Sequence, residues 1–154
     1  MVIRNWYVIL IFDFTKFDFT KLEENLIFMI LGIGVDIVSI KRIETLLEKW
    51  GRKFKNRVFT KHEIEYCEKK GREMAASFAV RFAAKEAFYK AMGEFQFDGI
   101  RWRDVEVRND FRKKPSFKFY KDTLSLLKKN KIKNVFLSLS HEKEFGIAEV
   151  IIEN

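Results

Sequence analysis

The chain has 154 residues, a length that suits a single domain with or without an appendage. Of these residues 47% are hydrophobic and 34% charged, and there are one proline and seven glycines. This composition excludes collagen-like, linker-rich and wholly disordered chains. The single cysteine, Cys67, excludes an internal disulfide framework and a Cys-based zinc cluster, and favours a reduced, cytoplasmic setting. Thirty Lys and Arg residues against 22 Asp and Glu give a net charge of +8, which predicts an anionic partner: nucleic acid, lipid headgroups, a phosphorylated small molecule or an acidic protein.

Residues 1–28 differ in composition from the rest of the chain. They hold five of the 17 phenylalanines and no glycine, proline or alanine, and their charge is −1, so residues 29–154 carry +9. Their longest uncharged apolar run, Trp6 to Phe12, is too short to span a bilayer, and no cleavage site of small residues follows it. Phe12 to Phe19 alternates imperfectly in the manner of a strand. Met29 is a candidate second translation start, and we expect a chain that begins there to fold and function.

A strand and a helix are predicted directly after this extension. The apolar run from Met29 to Val38 is typical of a short buried strand. Ser39 is a suitable N-cap for a helix over Ile40 to Trp50, in which apolar residues recur at helical spacing. Gly51 is expected to end this helix.

Two more helices are predicted before Gly93. Thr60 and Glu63 match a capping box, so a helix should begin there. Met74 to Met92 is the strongest helix pattern in the chain, because it is rich in Ala, Phe, Lys and Glu and lacks Gly and Pro. Gly93 should close that helix.

Strands dominate the remainder of the chain. The predicted strands are Arg103 to Arg108, Ser116 to Tyr120, Val135 to Leu139 and Gly146 to Ile152, with an amphipathic helix over Asp122 to Asn130 between the second and third. A strand, then helices, then mostly strands is the order of an α+β domain.

Glu86 lies in the most informative segment, the helix pattern from Arg81 to Gly93. Three of its four neighbours at helical spacing are apolar or aromatic, and the fourth is Lys90. A carboxylate in such a stripe is costly unless a partner satisfies it, and Lys90 and a metal ion are the two candidates. The alternative is an ordinary Glu–Lys helix pair, worth about 0.3 kcal/mol.

Asp36 ends the segment Gly32-Ile33-Gly34-Val35-Asp36, where glycines make the backbone approachable. A dinucleotide-binding loop is excluded, because the third glycine is missing and the apolar strand continues through Ile37 and Val38. The alternative to a functional carboxylate is a tightly packed strand with a polar end.

His141 follows Ser138-Leu139-Ser140, which places both serines on one face of a strand and the histidine at its end. The sequence has no Gly-x-Ser-x-Gly nucleophile elbow, which argues against a serine-hydrolase triad. His62 is the only other histidine, so a His-rich metal site is excluded. His141 is equally well explained as a turn residue, and His62 is best explained as a solvated residue at a helix start.

Basic and apolar residues are interleaved between positions 41 and 57. The cations are Lys41, Arg42, Lys49, Arg52, Lys53, Lys55 and Arg57. This pattern fits either a solvated helix face or a docking surface for a polyanion.

Taken together, these segments resemble the holo-[acyl-carrier-protein] synthase family, the small trimeric type of the 4′-phosphopantetheinyl transferase superfamily. Two long motifs carry the resemblance: Gly32 to Val38 with Lys41-Arg42-Ile43, and Arg81 to Ala87 with Lys90-Ala91 and Gly93. Shorter matches follow in the family's order: Phe59-Thr60 with Glu63, Lys114-Pro115, and Ser138 to His141. The resemblance covers residues 29–154, which would form the phosphopantetheinyl transferase domain.

The resemblance implies an α+β fold in which one long central helix packs against a mostly antiparallel sheet, assembled as a homotrimer with active sites at subunit interfaces. It implies transfer of 4′-phosphopantetheine from coenzyme A to a serine of an acidic apo-acyl-carrier protein in fatty acid biosynthesis, releasing adenosine 3′,5′-bisphosphate. Asp36 and Glu86 match the family's Mg²⁺ ligands. Glu86, directly or through a metal-bound water, would take the serine proton, and Lys90 would stabilise phosphate oxygens. Neither a membrane nor nucleic acid is an expected partner.

Further residues match the family's binding positions. Those implied at the coenzyme A site are Arg81, Lys85, Lys114, Pro115 and His141. Arg42 matches a carrier-protein contact, and the positive face that would steer the acidic carrier comprises Arg42, Lys49, Arg52, Lys53 and Lys55. The chain departs from the family where Lys113 replaces the glycine of a Gly-Lys-Pro motif, and where Glu94 to Phe97 replaces a Thr-Gly turn.

Two alternatives remain on sequence grounds. A small basic nucleic-acid-binding module would explain the charge and the aromatic content, but neither Glu86 in an apolar helix stripe nor Asp36 after Gly-x-Gly. A non-catalytic scaffold of the same fold would leave both carboxylates without a chemical role.

Overall fold

The computed structural model describes residues 29–93 and 100–154. Its helices and strands, in chain order, are β1 (Ile30–Ser39), α1 (Ile40–Val58), α2 (Lys61–Glu68), α3 (Met74–Met92), β2 (Val105–Asn109), β3 (Pro115–Phe119), α4 (Lys121–Lys129), β4 (Asn134–His141) and β5 (Phe145–Glu153). The predicted α+β class and long central helix are confirmed. The strand predicted over Phe12 to Phe19 and the loop Glu94 to Phe97 lie outside the described residues.

The strands form two antiparallel groups. One sheet has the order β1-β5-β4, and β2 and β3 form a separate hairpin. In the larger sheet Asp36 lies opposite Ala148, and His141 lies opposite Gly146. Because β5 is the central strand, Asp36 on β1 and His141 on β4 both lie on edge strands of the described sheet.

Helix α3 is buried on most of its circumference. Its alanines at positions 79, 83, 84 and 87 are fully buried, and Phe78 and Phe88 fill the core beside them. Small side chains let neighbouring backbones approach closely, and strong helix formers keep the segment helical. Gly93 closes the helix with φ 39, as the sequence predicts.

Helix α1 is interrupted at Gly51, where the sequence predicts a helix end. The glycine leaves the helical conformation, with φ 44 and ψ −120, and a second helical stretch that the sequence does not predict continues to Val58. The second half is retained because it buries Val58 and packs Phe54 against the rings of Phe59 and Phe82. Tertiary packing therefore sustains a second helical stretch beyond the predicted stop.

The capping box at α2 is confirmed. The Thr60 hydroxyl accepts a hydrogen bond from the Glu63 amide, and the Glu63 carboxylate accepts one from the Thr60 amide at 2.8 Å. Glu63 is fully buried and also accepts a hydrogen bond from the Val107 amide, so this cap joins α2 to β2.

Gly32 and Gly34 face helix α3 at backbone contact. A Cβ atom on either glycine would overlap a carbonyl oxygen of α3, from Ala91 at Gly32 and from Ala87 at Gly34. The missing side chains therefore set the distance between β1 and α3. This close approach brings Asp36 alongside the second half of the helix.

We expect Gly34→Ala to destabilise the fold by about 3 kcal/mol or more, because the added methyl group meets rigid helix backbone. Gly146→Ala is the milder comparison: its Cβ would lie 3.0 Å from a Val80 methyl group and 3.2 Å from the Val80 backbone nitrogen, contacts that shifts of a few tenths of an ångström relieve. Urea unfolding of both variants measures the difference. If both variants lost the same small amount of unfolding free energy, the packing described for β1 would be contradicted.

Candidate active site

Asp36, Lys90 and Glu86 form a charged cluster between β1 and α3. The Lys90 ammonium donates hydrogen bonds to Asp36 Oδ1 at 2.8 Å and to the Val35 carbonyl at 3.0 Å. Lys90 and Glu86 are one helical turn apart on α3. The two carboxylates predicted to act together, 50 positions apart in the sequence, thus share one electrostatic environment.

The protonation of Glu86 reflects this environment. Burial raises the pKa of the Glu86 carboxyl, the Asp36 charge raises it further, and Lys90 and Arg42 oppose the shift. Burial, together with Asp104 and Glu86, raises the pKa of the neighbouring Tyr89 to about 12. The cluster therefore concentrates negative charge in a half-buried position, as a cation-binding site does.

The donor set fits a hard divalent cation that keeps open coordination positions. Among the described residues, no group of three or more His, Cys, Asp or Glu side chains could enclose a metal ion. Two carboxylates, Asp36 and Glu86, are present instead. Mg²⁺ commonly binds through one or two carboxylates together with water and phosphate oxygens, so this pair suits a metal shared with a phosphorylated substrate.

A second cluster lines a cavity of about 200 Å³ on another side of the molecule. The cavity gathers three residues predicted at the coenzyme A site, Arg81, Pro115 and His141. Lys114 does not line it, whereas the adjacent Lys113 does. Four basic side chains against one acidic side chain, Glu73, make the lining suitable for an anion.

Arg81 is held rigidly in this cavity. Its guanidinium donates hydrogen bonds to Ser77 Oγ at 2.9 Å and to Asn109 Oδ1 at 2.7 Å, and it lies 4.0 Å from the centre of the Tyr66 ring. The buried Nε atom has no hydrogen-bond partner within the described parts of the chain. A guanidinium fixed in the lining of a cavity supplies a stationary positive charge, which suits a phosphate group.

The two clusters face different directions from one helix. Arg81 and Glu86 are five positions apart, which corresponds to about 140° around the helix axis. Arg81 reaches towards β2 through Asn109, whereas Glu86 lies beside Asp36 on β1. Within one protomer, α3 therefore presents the two clusters on separate surfaces.

Lys85, predicted at the coenzyme A site, does not join either cluster. Its ammonium is fully buried and bonds to Glu63 Oε2 at 2.9 Å and to three backbone carbonyls, those of Val58, Trp102 and Val105. Burial lowers the pKa of Lys85, and the Glu63 carboxylate opposes that shift. The position ties α2, α3 and β2 together, and its ammonium is already surrounded by acceptors.

The predicted carrier-binding cations lie along α1 and are not equivalent. Arg42, Lys49, Arg52 and Lys53 are exposed. Lys55 is 19% exposed and forms an ion pair with Glu68 at 2.8 Å, so its charge is largely neutralised locally. The exposed members supply positive charge along α1, and the first of them, Arg42, is close enough to Glu86 to influence its carboxyl group.

A family model described as the 4′-phosphopantetheinyl transferase superfamily matches residues 32–148. The match includes both clusters and the strand and helix that carry Asp36 and Glu86. The chain therefore belongs to this superfamily, and the predicted enzyme class, a phosphopantetheinyl transferase, is confirmed.

Relatives narrow the assignment within the superfamily. A holo-[acyl-carrier-protein] synthase of Halothermothrix orenii is 44% identical over 125 residues, which cover 81% of this chain and 98% of the relative. The solved synthase of Neisseria meningitidis is 37% identical with a TM-score of 0.75, covering 82% of this chain and all of that one. The Bacillus anthracis synthase, solved in complex with CoA (3′,5′-ADP), is 38% identical with a TM-score of 0.67 and covers 82% of this chain and 98% of its own. The chain is thus a member of the holo-[acyl-carrier-protein] synthase family, as its motifs predict.

Several lining residues of the cavity were missed by the sequence analysis. Tyr66 and Lys70 come from the end of α2, and Ser77 and Asn109 orient Arg81. The i, i+4 spacing of Ser77 and Arg81 on a predicted helix was an available signal for their contact. Asn109 lies 28 positions from Arg81, and no local pattern reports such a contact.

We expect Lys85→Met to destabilise the protein by about 3–5 kcal/mol, because it leaves the Glu63 carboxylate buried without its counter-charge. The double variant Lys85→Met with Glu63→Gln should recover part of the lost stability, since it no longer buries a charge at this position. Lys61→Met is the control, because Lys61 is 91% exposed and its contact with Glu65 is 3.7 Å long. Urea unfolding measures these stabilities. A Lys85→Met variant whose free energy of unfolding lies within about 1 kcal/mol of the parent's would exclude a structural role for the ion pair.

Proposed function

We propose that the protein transfers the 4′-phosphopantetheine group of coenzyme A to a serine of an acidic apo-acyl-carrier protein, releasing adenosine 3′,5′-bisphosphate. The observation that carries the proposal is the charged cluster of Asp36, Glu86 and Lys90 beside an exposed positive helix surface. The carrier supplies the nucleophilic hydroxyl, so the enzyme needs no nucleophile of its own. This accounts for a site made of carboxylates and cations.

Asp36 and Glu86 would hold Mg²⁺ against the diphosphate of coenzyme A. The ion, when bound, neutralises the diphosphate charge and orients the phosphorus for in-line attack. The raised pKa of Glu86 suits a carboxylate that takes a proton from the serine hydroxyl, directly or through water. Lys90, now paired with Asp36, lies one turn away and can donate to the transferring or leaving phosphate oxygens.

We also propose a homotrimer with active sites between subunits. The outer face of the β1-β5-β4 sheet carries apolar side chains that are exposed in the single chain, led by Ile37 at 61% and Ile33 at 58%. A contiguous face of this kind is typical of an interface. A neighbour packed there would allow the Asp36–Glu86 cluster of one protomer to meet the Arg81–His141 cavity of the next. From the family's role, we expect the enzyme to serve fatty acid biosynthesis in the cytoplasm. No helix in the described residues is long and apolar enough to cross a bilayer.

We expect Glu86→Gln and Asp36→Asn each to lower the transfer rate by about 100-fold or more, because each removes a metal ligand and Glu86→Gln also removes the base. Mass spectrometry of an apo-carrier incubated with coenzyme A and Mg²⁺ measures the added phosphopantetheine. Chelation of the metal should abolish transfer and renewed Mg²⁺ should restore it.

The control for this experiment is Glu65→Gln, which alters an exposed carboxylate on α2 and should leave the rate unchanged. Full activity in both site variants would refute the roles assigned to the two carboxylates. A parent protein that transfers nothing and instead binds RNA tightly at low salt would favour the nucleic-acid-binding alternative.

For carrier binding, we expect Lys53→Ala to raise the KM for the acidic carrier by about 3- to 10-fold, because an exposed cation steers the encounter. Lys55→Ala removes the same charge from the same helix but should have a smaller effect, since Lys55 is already paired with Glu68. Added salt should raise the KM for the carrier more than the KM for coenzyme A. Steady-state kinetics at two ionic strengths tests both points, and equal effects would argue against a steering surface.

A further inference from the structure

Lys113 occupies a backbone conformation that normally selects glycine. Its φ is 64, in the left-handed region, at the turn between β2 and β3. The Lys113 amide donates to the Asp110 carbonyl and the Asp110 amide donates to the Lys114 carbonyl, both at 3.0 Å. This is the hairpin in which a turn is followed by a left-handed bulge residue, a position where glycine is unstrained.

The turn is fixed from two sides, so the conformation of Lys113 is imposed. Asp110 Oδ1 accepts hydrogen bonds from the amides of Arg112 and Lys114, at 2.8 and 2.9 Å. Asn109 donates to the Lys113 carbonyl at 3.0 Å and accepts from Arg81 at 2.7 Å. Asn109 therefore joins Lys113 directly to the buried cation of the cavity.

Lys113 also lines the cavity, whereas the neighbouring Lys114 does not. A lysine costs more conformational energy than a glycine at this position, but its side chain adds a positive charge to the cavity lining. The same cavity is lined by Arg81, whose guanidinium is fixed by hydrogen bonds to Ser77 and Asn109. Together the two side chains give the lining one fixed and one flexible positive charge, which suits a dianionic group.

We propose that Lys113 is a specificity-determining residue that binds the 3′-phosphate of coenzyme A from a left-handed turn position. The inference rests on the proposed function, which places coenzyme A between the two clusters. The diphosphate is assigned to the Asp36–Glu86 cluster, so the phosphate monoester is the remaining anionic group of the substrate. The cavity has cationic donors and room for a group of that size.

The experiment compares coenzyme A with 3′-dephospho-coenzyme A as phosphopantetheine donors. Lys113→Asn removes the charge while keeping a residue that tolerates the left-handed region. We expect this variant to lower the preference for coenzyme A by about 3- to 10-fold, through KM and with kcat unchanged. Its KM for the dephospho donor should match that of the parent. Calorimetric titration with adenosine 3′,5′-bisphosphate should show the same loss of affinity.

Two glycine variants separate backbone strain from binding. Lys113→Gly should raise the melting temperature and lose the preference for coenzyme A. Lys131→Gly relieves a similar left-handed lysine, with φ 56, that does not line the cavity; it should raise the melting temperature with the preference intact.

An unchanged preference in Lys113→Asn would overturn the proposal, as would a parent enzyme that uses both donors equally well. A parent that transfers from neither donor would instead refute the proposed function on which the inference rests.

Discussion

The close approach of β1 to α3 is the constraint on which the site depends. Gly32 and Gly34 have no side chain to hold the strand away from the helix carbonyls, so the two backbones lie in contact. Asp36, two residues beyond Gly34, is thereby placed where Lys90 can bond to it and where its charge reaches Glu86. These glycines do not form a dinucleotide-binding loop; they permit the close approach that brings Asp36 near enough for its charge to act on Glu86.

Helix α3 distributes three roles around its circumference. Glu86 and Lys90 face β1, Arg81 faces the cavity, and Lys85 is buried in an ion pair that joins three elements. A rigid helix that is buried on most sides fixes these directions relative to one another. The carboxylate cluster and the cavity face apart in one protomer, and the proposed interfacial site would let one coenzyme A molecule contact both.

The sequence predicted the elements well where local chemistry decides the structure. The capping box at Thr60 and Glu63 and the helix Met74–Met92 were located correctly because each depends on neighbouring residues. Gly51 interrupts the helix as predicted, but the helical stretch beyond it, which the packing of Phe54 and Val58 sustains, was not predicted. Lys85 was placed at the coenzyme A site because it matches a family position; only the fold reveals that Glu63 and three carbonyls surround it. The cavity likewise depends on the bulge that directs Lys113 into the lining and Lys114 out of it.

A crystal structure of the protein with coenzyme A and Mn²⁺, read by anomalous scattering at the manganese edge, tests the central claim most directly. The account predicts one manganese ion bound by carboxylate oxygens of both Asp36 and Glu86 and by the diphosphate, with the adenosine 3′-phosphate in the Arg81 cavity of a neighbouring protomer. Manganese bound elsewhere, or coenzyme A bound with the two carboxylates too far apart to share an ion, would contradict it.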